Sequence, residues 1–418
     1  MEFKQFFVQG LFGLYNHTID FAASNTQNKR ASIIMLFGKN GIGKTTILRM
    51  IEGLMKLDFN VFREIKFNNA YLKFSNDETI SVASIYNKQK ELQYLRVKYK
   101  DVEVLLNPKE KGPLDTDKER ASQVKIAEKY RTDMLKFNFE FIDTERLMKI
   151  NLKEEEMMVR KSHQQEGKIG QKVRGESGVL AEKVKKFITE SQVYSARFFA
   201  KDEPELFEKI LSSIDNPSKI NVVELKKRIT AIAKAERDFQ IKRLGIATEK
   251  WDKVKLTNIL NSEQRRREPS VHKLTVINSY LEVLASRNNE KTSLAERLLI
   301  FESILNNFLM DKEISVSGEK GFEIKSANNN ELKENQLSTG EYHLLYLTVL
   351  ALCTTVQGTV IAIDEPEMSM HISWQNKLIN ALLQISSKAN PQYIFATHSP
   401  DIAATYSNSL KTVTYGKK

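Results

Sequence analysis

Gly38-Lys39-Asn40-Gly41-Ile42-Gly43-Lys44-Thr45 lies between an apolar run, Ala31 to Phe37, and a helix-forming stretch, Thr46 to Leu54. Strand, glycine loop and helix in that order constrain this fold more than any other feature of the chain. Glycines allow the turn that brings backbone N–H groups round one point, and the helix start adds N–H groups with no partner inside the helix. Such a point attracts an anion, and the G-x-x-x-x-G-K-[ST] spacing selects the phosphates of a nucleotide. Gly38, Asn40, Gly41, Gly43 and Thr46 then belong to the cradle. Lys44 reaches the terminal phosphates, and the Thr45 hydroxyl is a ligand for Mg²⁺. ATP and Mg²⁺ are the expected cofactors.

The remaining chemistry stands at the other end of the chain. The apolar strand Thr359 to Ile363 runs into Asp364-Glu365-Pro366. Asp364 is expected to hold Mg²⁺ through water, and Glu365 to polarise the attacking water as general base. A second apolar strand, Tyr393 to Ala396, runs into Thr397-His398-Ser399-Pro400, where His398, at this distance past Asp364, resembles the switch histidine that contacts the γ-phosphate in ABC-type ATPases. Between the two halves comes Leu337-Ser338-Thr339-Gly340-Glu341, opening a helix with Ser338 as N-cap. In an ABC-type ATPase the start of this helix faces the γ-phosphate held by another subunit, so Ser338, Gly340 and Glu341 imply a dimer with two composite sites. In hexameric AAA+ motors the Asp-Glu strand follows the phosphate loop after about one helix–strand unit. Here the whole middle of the chain intervenes.

Within 418 residues that middle forms a separate body. The expected order is 1–150 for the N-terminal half of the head, 151–310 for a helical insertion and 311–418 for the C-terminal half. The fold class is α/β, an ABC-type head of mixed sheets with flanking helices and a large helical insertion. Strands are expected at Phe3 to Val8, Thr18 to Phe21, Val61 to Phe67, Ala70 to Phe74, Thr79 to Tyr86, Leu92 to Tyr99 and Phe139 to Ile142. Lys161 to Gly178, polar and glycine-bearing, reads as a mobile loop. Helical stripes follow at Leu180, Val184, Phe187 and Ile188, then at Leu225, Ile229, Ile232 and Phe239, then at Leu274, Ile277, Leu281 and Leu284. Leu294 to Met310 forms another helix, and Glu313 to Lys325 a hairpin around Gly318 to Gly321.

Hydrophobic residues at 41% and charged ones at 28% suit a soluble globular chain, and no apolar run nears the length of a membrane span. No membrane partner and a cytoplasmic location are expected, in keeping with a single cysteine, Cys353. Lys and Arg number 64 against 53 Asp and Glu, for +11, which permits duplex DNA as a partner without requiring it. Basic clusters at Lys183, Lys185 and Lys186, at Lys226 to Arg228 and at Arg265 to Arg267 all fall in the insertion. Interleaved Glu182, Glu190 and Glu224 favour a solvated face instead.

With these motifs in hand, the chain resembles the RecF/SMC-like ABC ATPases, and within them the overcoming-lysogenisation-defect and anti-phage defence ATPases. That group reads DEPE-x-S-L-H-P and then THSP, where this chain has Asp364-Glu365-Pro366-Glu367-Met368-Ser369-Met370-His371-Ile372 and Thr397 to Pro400. Met370 replaces Leu and Ile372 replaces Pro. Gly10 to Tyr15 and Phe141 to Leu147 also look like that group, with Glu145 as the candidate Q-loop residue. The resemblance covers about 1–150 and 310–410. It implies a homodimer or higher oligomer whose loop Glu367 to His371 crosses the interface. It also implies anti-phage defence through a separate effector protein, since no Toprim nuclease domain is visible in the sequence up to Lys418. A RecF-like DNA-maintenance ATPase is the alternative. A transporter energy subunit fits poorly, because those favour L-S-G-G-Q over Leu337 to Glu341.

Overall fold

A computed structural model describes residues 3–21, 33–89, 91–107, 126–130, 138–143, 178–193, 208, 212, 221–241 and 252–412. The chain forms two compact units, Met1–Ile169 with Thr354–Lys418, and Gly170–Cys353. The sequence-drawn boundary at 310 puts the hairpin and signature helix with the C-terminal half. By contacts they group with the helical unit instead. Part of the reason is local: Asn306 near the end of a long helix both donates to and accepts from the Ile314 backbone, and Glu302 accepts from Val316 N.

The first unit holds two sheets. Strands β1 (Phe3–Leu11), β2 (Tyr15–Asp20), β4 (Asn69–Phe74), β5 (Thr79–Tyr86), β6 (Leu92–Tyr99) and β7 (Val102–Leu106) form an antiparallel sheet in the order β2-β1-β4-β5-β6-β7. Alternating burial along β4, with Ala70, Leu72 and Phe74 inside, marks a sheet with one covered face. Strands β3 (Ile33–Phe37), β8 (Phe139–Ile142), β12 (Val360–Asp364), β13 (Gln392–Thr397) and β14 (Leu410–Thr412) form a parallel sheet in the order β14-β3-β13-β12-β8. All five residues of β12 are buried, as expected of a central parallel strand covered on both faces. Helix α1 (Lys44–Lys56) buries Ile47, Leu48, Met50, Ile51 and Leu54 in the core that joins both sheets.

The expected strand at Val61 to Phe67 is a correction. Residues Asn60–Glu64 form a short helix, α2, because Asp58 Oδ1 accepts from Asn60 N at 3.1 Å and turns the chain, while Phe62 packs against Phe59 and Phe67. Strand β7 was not anticipated, although Val102, Val104 and Leu106 alternate with polar or exposed neighbours.

In the second unit, helix α3 (179–193) starts on a carboxylate: Glu334 accepts from Leu180 N at 3.1 Å and Ala181 N at 2.7 Å. Helices α4 (Val222–Ile241), α5 (Lys253–Gln264) and α6 (Val271–Phe308) follow, and Leu225, Ile229, Leu260, Leu274 and Leu281 form a core of their own. The two helices expected around Leu274 and Leu294 are one 38-residue helix, since no Gly or Pro interrupts 271–308. Strands β9 (Lys312–Ser317), β10 (Gly321–Ser326) and β11 (Glu331–Leu332) make the expected hairpin and one strand more. Helix α7 (Thr339–Cys353) follows. The expected loop at 161–177 and the Q-loop candidate Glu145 lie outside the described residues, and no described helix is long and apolar enough to cross a membrane.

Candidate functional site: a phosphate loop facing two carboxylate strand ends

Strands β3, β13, β12 and β8 are neighbours and parallel, so their carboxyl ends open on one edge of the sheet, where ligands of open α/β sheets bind. The phosphate loop leaves β3, Asp143 follows β8, Asp364 ends β12, and His398 follows β13. The topology therefore gathers Gly38, Asn40, Gly41, Gly43, Lys44, Thr45, Thr46, Asp364, Glu365 and His398 in the first unit. Ser338, Gly340 and Glu341 belong to the second.

The loop has the backbone its glycines predict. Gly41 has φ 81° and Gly43 φ 99°, values that a side chain rarely allows. A Cβ on Gly43 would also lie 2.8 Å from Leu11 Cδ2, so the Leu11 side chain would have to shift on top of the backbone strain. Gly43 is the N-cap of α1 and has no side chain to satisfy the first N–H groups, which are left for phosphate oxygens. Lys44 reaches back to the carbonyls of Gly38 at 2.8 Å and Lys39 at 3.3 Å. Burial pulls its ammonium below the usual lysine range, against the opposing charges of Asp364, Glu365 and Glu367.

Asp364 is buried, and the loss of water raises its carboxyl to about 6. Glu365 and Asp143 push in the same direction, while the Thr45 hydroxyl and Lys44 oppose the rise. A hydroxyl and a carboxylate side by side, with two further carboxylates near, form a donor set that suits Mg²⁺. That ion takes one or two protein oxygens and completes its shell with water and phosphate. Thr45 and Asp364 are the residues that would hold it, and when bound it neutralises phosphate charge.

The raised carboxyl has a testable consequence. Asp364 binds its proton more tightly when folded than when unfolded, so its contribution to stability is complete below about pH 4 and is lost as pH rises through about 6. Without nucleotide or metal, Asp364→Asn should flatten the fall in thermal midpoint between pH 4 and 7. The difference amounts to up to roughly 3 kcal/mol. Identical pH slopes in the two proteins would contradict the assignment.

Glu365 takes φ 48°, in the left-handed region, and donates its N–H to Ala396 O at 2.8 Å. This strained turn directs the carboxylate away from the strand, where it is 35% exposed and 3.4 Å from His398 Nδ1. Glu367 is buried beneath them, with its Oε1 3.7 Å from the same Nδ1. In the sequence Glu367 reads only as the start of a crossing loop, and neither Arg49 nor Asp143 stands out as a site residue. Arg49 Nε and Nη2 donate to Asp143 Oδ2 at 3.0 and 2.8 Å, which ties α1 to the end of β8. Asp143 closes an apolar strand as Asp364 does, and that was the signal available.

In the second unit, Ser338 and Glu341 form the expected reciprocal cap. Ser338 N donates to Glu341 Oε2 at 2.8 Å, and Glu341 N to Ser338 Oγ at 3.4 Å. Lys312 donates to Glu341 Oε1 at 2.7 Å. Burial raises the Glu341 carboxyl, but Lys312 and the Ser338 backbone and hydroxyl outweigh it, leaving it below the usual range. Helix α7 is otherwise almost wholly buried, while Ser338 and Thr339 are exposed at its start.

A phosphate loop, an Asp-Glu strand end and a neighbouring histidine on one parallel sheet edge define an α/β ATPase with a helical insertion. The chain belongs to the AAA ATPase domain family, whose model matches residues 1–403, and the protein is an ATPase. No curated protein matches it. Solved structures with some likeness include the Smc head domain with an extended coiled coil bound to the C-terminal domain of ScpA from Pyrococcus furiosus. It is 13% identical, with 97% of this chain and 91% of that chain covered and a TM-score of 0.40. The SMC head domain from Thermotoga maritima is 12% identical, with 97% and 92% covered and a TM-score of 0.34.

Proposed function

We propose that this ATPase is a nucleotide-gated switch that works as a homodimer and controls a separate effector protein in anti-phage defence. The observation that carries the dimer is the exposed, capped start of α7 on an otherwise buried helix, in a different unit from the phosphate loop. The cap engages the N–H groups of Ser338 and Glu341, so those of Thr339 and Gly340 then serve a γ-phosphate bound by the partner subunit, and two ATP molecules latch two chains.

Within each site Lys44 and the loop N–H groups bind and orient the phosphates. Glu365 accepts the proton of the attacking water, and His398 donates to the γ-phosphate. Glu365 and Glu367 both face His398 Nδ1, which leaves Nε2 for the γ-phosphate; donating from Nε2 while Nδ1 donates to a carboxylate takes the imidazolium form, with a proton on each ring nitrogen. The defence role and effector rest on the resemblance of Asp364 to Ile372 and Thr397 to Pro400 to the anti-phage group.

Duplex DNA is the weaker partner. Several of the basic residues that could take phosphates are engaged: Lys186 with Glu190, Arg228 with Glu224 and Asn278, Arg266 with Glu263. The test is co-purification with the products of neighbouring genes, with and without ATP and duplex DNA. A protein retained only with ATP is the expected result. Retention of DNA alone, falling steeply with salt, would replace effector control with DNA maintenance.

A further inference from the structure

Glu367 lies three residues past the strand that ends at Asp364, yet its side chain serves a different strand. It is buried, and its Oε1 accepts three hydrogen bonds from the turn after β13: Thr397 Oγ1 at 2.6 Å, His398 N at 3.2 Å and Ser399 N at 3.2 Å. Thr397 Oγ1 also accepts from Ser399 N at 3.0 Å, so the turn is pinned at three successive residues. Burying a carboxylate is costly unless donors surround it, and here the donors all come from the segment that carries His398. Its other oxygen, Oε2, has no hydrogen-bond partner among the described residues, so the anion is committed to this one turn.

We infer that Glu367 is the positioning residue for His398 and fixes the imidazole in place to donate to the γ-phosphate. The inference rests on the catalytic reading of Glu365 and His398 given above. Three features carry it. Glu367 holds the His398 backbone through its N–H, so the ring has a fixed origin. The same Oε1 lies 3.7 Å from His398 Nδ1, on the side that Glu365 Oε1 also faces at 3.4 Å, so both carboxylates restrain the ring. The segment that bears Glu367 continues through Ser369, at φ 60°, into the His371 cap of helix α8 (Ile372–Ile385). A shift of that segment therefore pulls on the histidine turn. This gives a physical route by which contact at the loop Glu367 to His371 alters the rate of hydrolysis.

Glu367→Gln keeps the shape and one acceptor oxygen but removes the charge that gathers three donors. Turnover should fall by about tenfold with ATP affinity and thermal midpoint unchanged. In the His398→Ala background the same substitution should have little further effect, because the group it positions is gone. Thr397→Val, which removes the shortest of the three bonds and leaves the carboxylate in place, should repeat this pattern. It carries the test if Glu367→Gln lowers the thermal midpoint. Wild-type turnover in both variants, or a tenfold loss that persists undiminished on His398→Ala, would overturn the inference. If His398→Ala itself turned over normally, the catalytic reading of His398 would fall together with this one. A slow His398→Ala beside a normal Glu367→Gln and Thr397→Val defeats the positioning role alone.

Discussion

Glu365→Gln should bind ATP and hydrolyse it at least about a hundredfold more slowly. The amide keeps the size of the side chain, and the backbone N–H bond from residue 365 to Ala396 O does not depend on it. What it loses is the ability to take a proton from water. Asp364, Thr45 and Lys44 remain, so nucleotide should still enter and stay. If ATP latches two chains, the variant should accumulate as an ATP-loaded dimer, visible as a change in mass on addition of ATP and magnesium. Single-turnover measurement separates the chemical step from release. Near wild-type hydrolysis would remove Glu365 from the role of base and turn attention to His398, which stands 3.4 Å away.

Mixing two dead variants should restore turnover. Lys44→Ala removes the ammonium that reaches over the phosphate loop to Gly38 O, and Ser338→Arg replaces the exposed cap of α7 with a long cation. Each homodimer has two broken sites. In a heterodimer the Lys44→Ala chain contributes an intact signature and the Ser338→Arg chain an intact phosphate loop, so one site is whole. Equal mixing makes about half the dimers mixed, each with one of two sites, and recovery of about a quarter of normal turnover follows if the sites act independently. Recovery near zero with heterodimers confirmed by mass would mean that Ser338 acts in its own chain or only caps the helix.

Much of the site could be read directly from residue order. The loop from Gly38 to Thr45 needs particular residues at particular spacing because backbone geometry admits few others, and Gly43 shows why: φ 99° and Leu11 within 2.8 Å of any Cβ. Asp364 and His398 were legible because apolar strands end on them. Helix α7 was legible from its cap. Such signals are local, and local chemistry survives in sequence.

What escaped was set by distance along the chain. Asn60–Glu64 is helical because Asp58 turns its start and Phe62 finds a pocket, not because of its own apolar pattern. The helix Val271–Phe308 runs unbroken through a polar stretch that sequence periodicity split in two. Glu367 illustrates the limit best. By order it is one more residue after a strand, and only the pairing of β12 beside β13 puts its carboxylate under the turn at Thr397 to Ser399. The sequence by itself determined the glycine-loop backbone and which side chains close the apolar strands, because those depend on residue type and short spacing. The tertiary structure alone decided which buried carboxylate holds the histidine and how Arg49 reaches Asp143. Those contacts join strands and helices far apart in the chain, and only parallel pairing and core packing bring them within hydrogen-bond range.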